Sequence, residues 1–152
     1  MQLSKFKKLF LDVIDNKDNP FHPLVWINGD PEIGFGTYIG GFSEINAKGA
    51  KIVIGNNCDI ASFVAINVAD SHRRCIGLSQ ENISKDIKIG NNVFIGSHCL
   101  VTGGVSIGHH SVIAAGTIVR HSDIPPFSLV IGDEIKPSYY RVEYEEKNYH
   151  SS

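Results

Sequence analysis

The stretch Ile89–Val119, IGNNVFIGSHCLVTGGVSIGHHSVIAAGTIV, places an aliphatic residue at every sixth position: Ile89, Ile95, Val101, Ile107, Ile113 and Val119. Four places after these come small or aliphatic residues, Val93, Cys99, Val105, Ser111 and Thr117. A helix would space its apolar residues at three- and four-residue steps, and a single strand alternates by two. A sustained period of six fits neither. It reads as short strands joined by tight corners and stacked coil on coil, each repeat side chain lying over its counterpart one coil away. Such a column removes apolar surface from water at ~25 cal/mol per Å². Gly and Asn recur after the aliphatic residue, as in Ile54-Gly55-Asn56-Asn57 and Ile89-Gly90-Asn91-Asn92. Both tolerate the positive φ that tight corners need.

The same period runs outward in both directions. Ile27, Ile33, Ile39 and Ile45 form an earlier set, and Ile54, Ile60 and Ile66 a second, with Thr37, Ser43, Cys58 and Val64 at the small position. Ile83 extends the third set backwards; Ile131, with Leu129 at the small position, continues it past Pro125. The phase slips by three residues between Ile45 and Ile54, which predicts a small bulge near Asn46–Ala47. It slips again across VADSHRRCIGLSQEN, residues 68–82. A polar insertion of this length is the one real loop in the repeat, and long loops on rigid scaffolds commonly carry function.

The ends read differently. Phe6, Leu9, Phe10, Val13 and Ile14 have helical spacing, so residues 1–18 are expected to hold an amphipathic helix, capped by Ser4 and covering the open end of the stack. Residues 19–136 form the repeat domain, with a functional loop at about 67–82, and 137–152 read as a polar, tyrosine-rich tail. The expected fold is all-β: a parallel β-helix of about five coils.

Composition bounds the function classes. The net charge of −2 gives no basic footprint for nucleic acid and no polybasic membrane patch. No apolar run approaches the ~20 residues of a membrane span. Three cysteines at no disulfide-framework or metal-ligand spacing, with no signal-peptide pattern at the N-terminus, point to a reducing cytoplasm.

The repeats, the histidine-bearing loop and the run IGSHCLVTGGVSIGHHSVIAAGTIVRHSDIPPFSLVIG resemble the hexapeptide-repeat acyltransferases, most closely the sugar O- and N-acetyltransferases, over about residues 27–136. The resemblance implies a left-handed coil, a homotrimer with sites between subunits, and acetyl-CoA (or another acyl-CoA) as co-substrate. It implies transfer to a hydroxyl or amino group of a sugar or nucleotide-linked sugar in polysaccharide biosynthesis.

In that family a loop histidine acts as general base, and His72 in INVADSHRR takes its place. An attacking hydroxyl or protonated amine must lose a proton, and histidine ionises near neutral pH. An exposed loop histidine without a role is the competing reading. Asp70 stands where it either orients the imidazole or joins the acceptor site. The resemblance also implies that Ser97 and Ala115, 18 residues apart and so stacked one coil on the next, hold the pantetheine arm with backbone groups. Arg120 and Lys136 would meet the phosphates. Lys136 ends a GDEIK segment where the family has G-x-P-A-K, so the local backbone departs from the pattern. Arg73 and Arg74 adjoin His72 and either pair with a phosphate or are simply solvated. Ser43 and Asn46 precede the loop by about one coil and are acceptor-side candidates.

The remaining histidines, His22, His98, His109, His110, His121 and His150, read as turn, connector or tail residues, and no metal is expected. Serine or antibiotic acetylation is an alternative within the same chemistry. A carbonic-anhydrase-like β-helix using His72, His98 and His109 or His110, and a non-catalytic scaffold, are the alternatives outside it.

Overall fold

The computed structural model describes residues 2–14, 18–120 and 122–150. Short strands stack into three parallel sheets that wrap the chain into about five coils. The first sheet takes Trp26–Asn28, Glu44–Asn46, Ala65–Asn67, Leu100–Thr102 and Ile118–Val119. The second takes Glu32–Ile33, Ile52–Ile54, Ile87–Ile89, Ser106–Ile107 and Asp123–Ile124. The third takes Tyr38–Ile39, Asp59–Ile60, Phe94–Ile95, Val112–Ile113 and Leu129–Ile131, with Glu134–Lys136 added antiparallel at its edge.

Register explains the period. Ile45 pairs with Ile66, Ile66 with Val101, and Val101 with Val119; Ile54, Ile89 and Ile107 form a second column, and Ile60, Ile95 and Ile113 a third. These side chains are essentially inaccessible to water. Each contributes about 1.5–3 kcal/mol by burial.

The corners hold a second device. Ser43 Oγ donates to the Ala61 carbonyl (3.0 Å) and accepts from the Val64 N–H (3.2 Å). Thr37 does the same with the Gly55 carbonyl and the Cys58 N–H, and Ser111 with the Pro125 carbonyl and the Ser128 N–H. The small position of the repeat thus stitches one coil to the next. Ser43, expected on the acceptor side, is wholly buried in this role and reaches no cleft.

Three departures from strict repetition correct the expected phase. The extra residues after Asn46 form a longer corner over 47–51, where Gly49 has φ +95° and Asn46 Oδ1 accepts the Lys48 N–H. Ile83 lies in the loop and is exposed, because the coil resumes only at Ile87–Ile89. The corner after Val119 is one residue short, so Ile107 pairs with Ile124 and Ile113 with Val130. Val130 is therefore buried and Ile131 half exposed, while Ser128 rather than Leu129 fills the small position.

The N-terminal helix, α1 (Leu3–Val13), starts at Gln2, so Ser4 lies inside it and caps nothing. Leu11 is its buried residue; Phe6, Leu9 and Val13 are exposed. Lys7 Nζ ties it to the connector at the Asn19 carbonyl (2.8 Å). It does not close the stack. Phe21 of the connector packs on the core, and a cavity of about 870 Å³ lined by Ile27, Ile33 and Ile39 marks the open first coil. The C-terminal segment, expected as a tail, forms a helix, Arg141–Tyr149. An Arg141–Glu145 pair one turn apart (3.8 Å) supports it, and Tyr144 packs edge-on against His110 and tilted against Phe127.

Candidate active site

The long loop leaves the first sheet at Asn67 and returns to the second at Ile87. Its stem is a short antiparallel pair, Ala69–Asp70 against Ile83–Ser84. The Lys85 N–H donates to the Val68 carbonyl (3.1 Å) at the foot of that stem. A single helical turn, His72–Cys75, follows Ser71. Asp70 shapes this turn: its Oδ1 accepts the His72 backbone N–H (3.0 Å) and the His72 ring Nδ1–H (2.6 Å). An ionised carboxylate only accepts, so the bond holds the ring proton on Nδ1 and leaves Nε2 as acceptor.

His72 and Asp70 line a cleft of about 470 Å³ with Asn67, Lys85, Thr102 and Arg120. Asn67, Lys85 and Thr102 had no signal of their own in the sequence. Asn67 and Thr102 face each other as register partners in neighbouring coils, and Lys85 closes the loop. Asn46 stands one rung below, its Nδ2 donating to Asn67 Oδ1 (3.2 Å), and does not line the cleft. Arg73 is exposed and outside the lining, while Arg74 Nε donates to Asn82 Oδ1 (2.7 Å) within the loop.

Of the residues assigned to the donor, Arg120 lines this cleft and the other three lie elsewhere. Ser97 and Ala115 occupy successive corners between the third and first sheets, and the Gly116 N–H donates to the Ser97 carbonyl (2.9 Å), so they do stack. Lys136 sits in the edge strand opposite Leu129, paired with Glu134 (3.7 Å) and over the Tyr139 ring. Within one chain neither group meets His72.

Nor do the histidines converge. His72 is at the corner between first and second sheets, His98 between third and first, and His109 and His110 between second and third. His98 stacks on Phe63, which stacks on Phe42, with ring centroids about 5 Å apart (4.9 and 5.0 Å). His110 is not a free turn residue: it stacks on Phe127, and its Nε2 accepts from Asn92 Nδ2 (3.2 Å). Burial, with the neighbouring His109, lowers its pKa. Among the described residues no group of three or more His, Cys, Asp or Glu is placed to hold a metal ion. Cys58 and Cys99 are buried, and burial raises the Cys99 thiol, which keeps it protonated. His121 lies outside the described residues.

The family description "bacterial transferase hexapeptide (six repeats)" matches residues 86–121. Those residues carry the hexapeptide repeat. Solved structures of hexapeptide-repeat enzymes share its coil. A galactoside acetyltransferase in complex with coenzyme A is 29% identical, with 91% of this chain and 82% of that one covered and a TM-score of 0.58. A hexapeptide-repeat acetyltransferase from Vibrio cholerae is 27% identical over 90% and 79%, with a TM-score of 0.61. A variant of the N-acyltransferase AntD from Bacillus cereus, bound to dTDP-4-amino-4,6-dideoxyglucose and coenzyme A, is 15% identical over 90% and 80%, with a TM-score of 0.65; at that identity it shows the fold alone. No curated protein matches the sequence of this chain.

Proposed function

We propose that the chain is a CoA-dependent acetyltransferase that acylates a hydroxyl or amino group of a sugar or nucleotide-linked sugar, with His72 as general base. The observation that carries this is the Asp70–His72 pair, 2.6 Å apart, held on a stapled loop over a cleft of a hexapeptide-repeat coil. The acceptor oxygen or nitrogen attacks the thioester carbonyl while Nε2 takes its proton. The tetrahedral intermediate collapses with loss of the C–S bond, and the imidazolium returns the proton to the departing thiolate. Asp70 stabilises the imidazolium in between. The likeness to a galactoside acetyltransferase in complex with coenzyme A supports an acyl-CoA donor and a sugar acceptor.

In this reading Ser97, Ala115 and Lys136 serve the donor from a corner and an edge that one chain keeps apart from His72. A homotrimer supplies the missing juxtaposition by setting that corner of one subunit against the loop of the next. In this reading the reaction takes place in the cytoplasm. The test is thiol release from acetyl-CoA with a panel of glycosides and nucleotide amino sugars. Acceptor-dependent release by the wild type, lowered ~10²–10⁴-fold in kcat by His72→Ala with acetyl-CoA binding retained, is the expected result. Full activity of His72→Ala places the base elsewhere.

A further inference from the structure

Lys85 and Arg120 share the cleft with His72, although 34 residues and two full coils of chain separate them. The ion pairs among the described residues engage the cations Lys7, His72, Lys136 and Arg141, and neither Lys85 nor Arg120. The carboxylate in the cleft wall, Asp70, is turned to the His72 ring. The cleft wall therefore carries two cations, neither in an ion pair among the described residues, against the single carboxylate of Asp70, while Arg120 also borders a smaller cavity that holds Asp133. A concave site with low-dielectric walls concentrates such a field and raises the local concentration of anions. Arg120 adds the planar fork that matches carboxylate or phosphate oxygens in pairs, and Lys85 a point charge.

The position decides which substrate the field serves. The atoms that react beside His72 are the acceptor's nucleophile and the thioester, and the thioester is uncharged. The phosphates of coenzyme A lie a whole pantetheine arm from the sulfur, farther than a cleft of about 470 Å³ reaches. An anion bound here belongs to the acceptor. We propose that Lys85 and Arg120 recognise a carboxylate or phosphate on the sugar, which makes the acceptor an anionic sugar. This rests on the acetyltransferase reading above, and it moves Arg120 from the donor's phosphates to the acceptor.

The test uses a matched pair, methyl galacturonide and methyl galactoside, which differ in one carboxylate, together with a nucleoside-diphosphate amino sugar. Binding is followed by calorimetry and turnover by thiol release. One or both anionic sugars should bind on the order of tenfold tighter than the galactoside. Arg120→Met and Lys85→Met should each erase that preference. Arg120→Lys and Lys85→Arg should restore part of it, and the affinity for coenzyme A should change by less than about twofold. The uronide and the nucleotide sugar tell a sugar carboxylate from a diphosphate. Equal binding of all three sugars overturns the proposal, as does a loss of coenzyme A affinity in place of sugar affinity. Acceptor-dependent thiol release without anion preference removes this proposal and leaves the acetyltransferase reading standing. Anion-selective binding without thiol release from any acceptor does the reverse.

Discussion

Asp70 accepts two hydrogen bonds that do different jobs, one closing the turn at the His72 N–H and one fixing the imidazole ring. Asp70→Asn keeps the size and can still accept the backbone N–H, but it no longer offers a negative charge to the ring. We expect kcat to fall about ten- to a hundredfold with KM for acetyl-CoA and thermal stability near wild type. An equal loss in a melting curve would make Asp70 a structural residue only. The loop that carries His72 was legible because it interrupts an otherwise continuous repeat, whereas the general-base role proposed for His72 came from the family resemblance. The pairing with Asp70 was less so, since Asp is common in loops and only the stem Ala69–Asp70 against Ile83–Ser84 shows which way it turns. Ser43 was misread for a physical reason: a small polar residue beside a site and one that stitches two coils look the same in one dimension. Lys85 and Thr102 left no trace, because they become cleft residues only when coils far apart in sequence are stacked.

Among the elements, the inward-facing positions of the strands were legible wherever the period of six is unbroken. Ile95 and Ile107 lie in two of the three columns, with 0% and 2% of their surface exposed. Ile95→Asp and Ile107→Asp should unfold the chain, since an unpaired buried carboxylate costs several kcal/mol against a typical total of about 5–15. Circular dichroism melts near wild type for both would mean that these side chains face outward. The short corner after Val119 escaped notice because Leu129 and Ile131 supply aliphatic residues in the old phase while Ser128 and Val130 supply them in the new one. The C-terminal helix escaped for a different reason: no residue in it is buried, so no apolar stripe announces it. Its contacts with His110 and Phe127 lie across the fold. Phe42, Asn57, Phe63, Asn92, His98, His110 and Phe127 all adopt positive φ at corners. For the aromatic ones, ring stacking down the corner offsets a conformation that costs about 1–2 kcal/mol per residue.

For the whole molecule, the coil architecture could be derived from spacing, whereas its handedness and assembly came from a family resemblance. General rules for parallel crossovers favour the opposite hand. Phe42 and Phe63 on one corner and Ile118 on the adjoining sheet are half exposed, an apolar surface that a second copy would cover. Light scattering should give a particle three times the 16.7 kDa of one chain; a stable monomer at working concentration would refute the shared site. The loop has a bearing on the history of such a molecule. It departs and rejoins the coil at one point, where Lys85 bonds to Val68, and Leu100 pairs with Ala65 as though residues 69–84 were absent. Mutation can lengthen, shorten or rewrite that excursion while the columns beneath keep their register. Foldedness and substrate preference are thus inherited through separate stretches of one chain, and selection can revise the second without reopening the first.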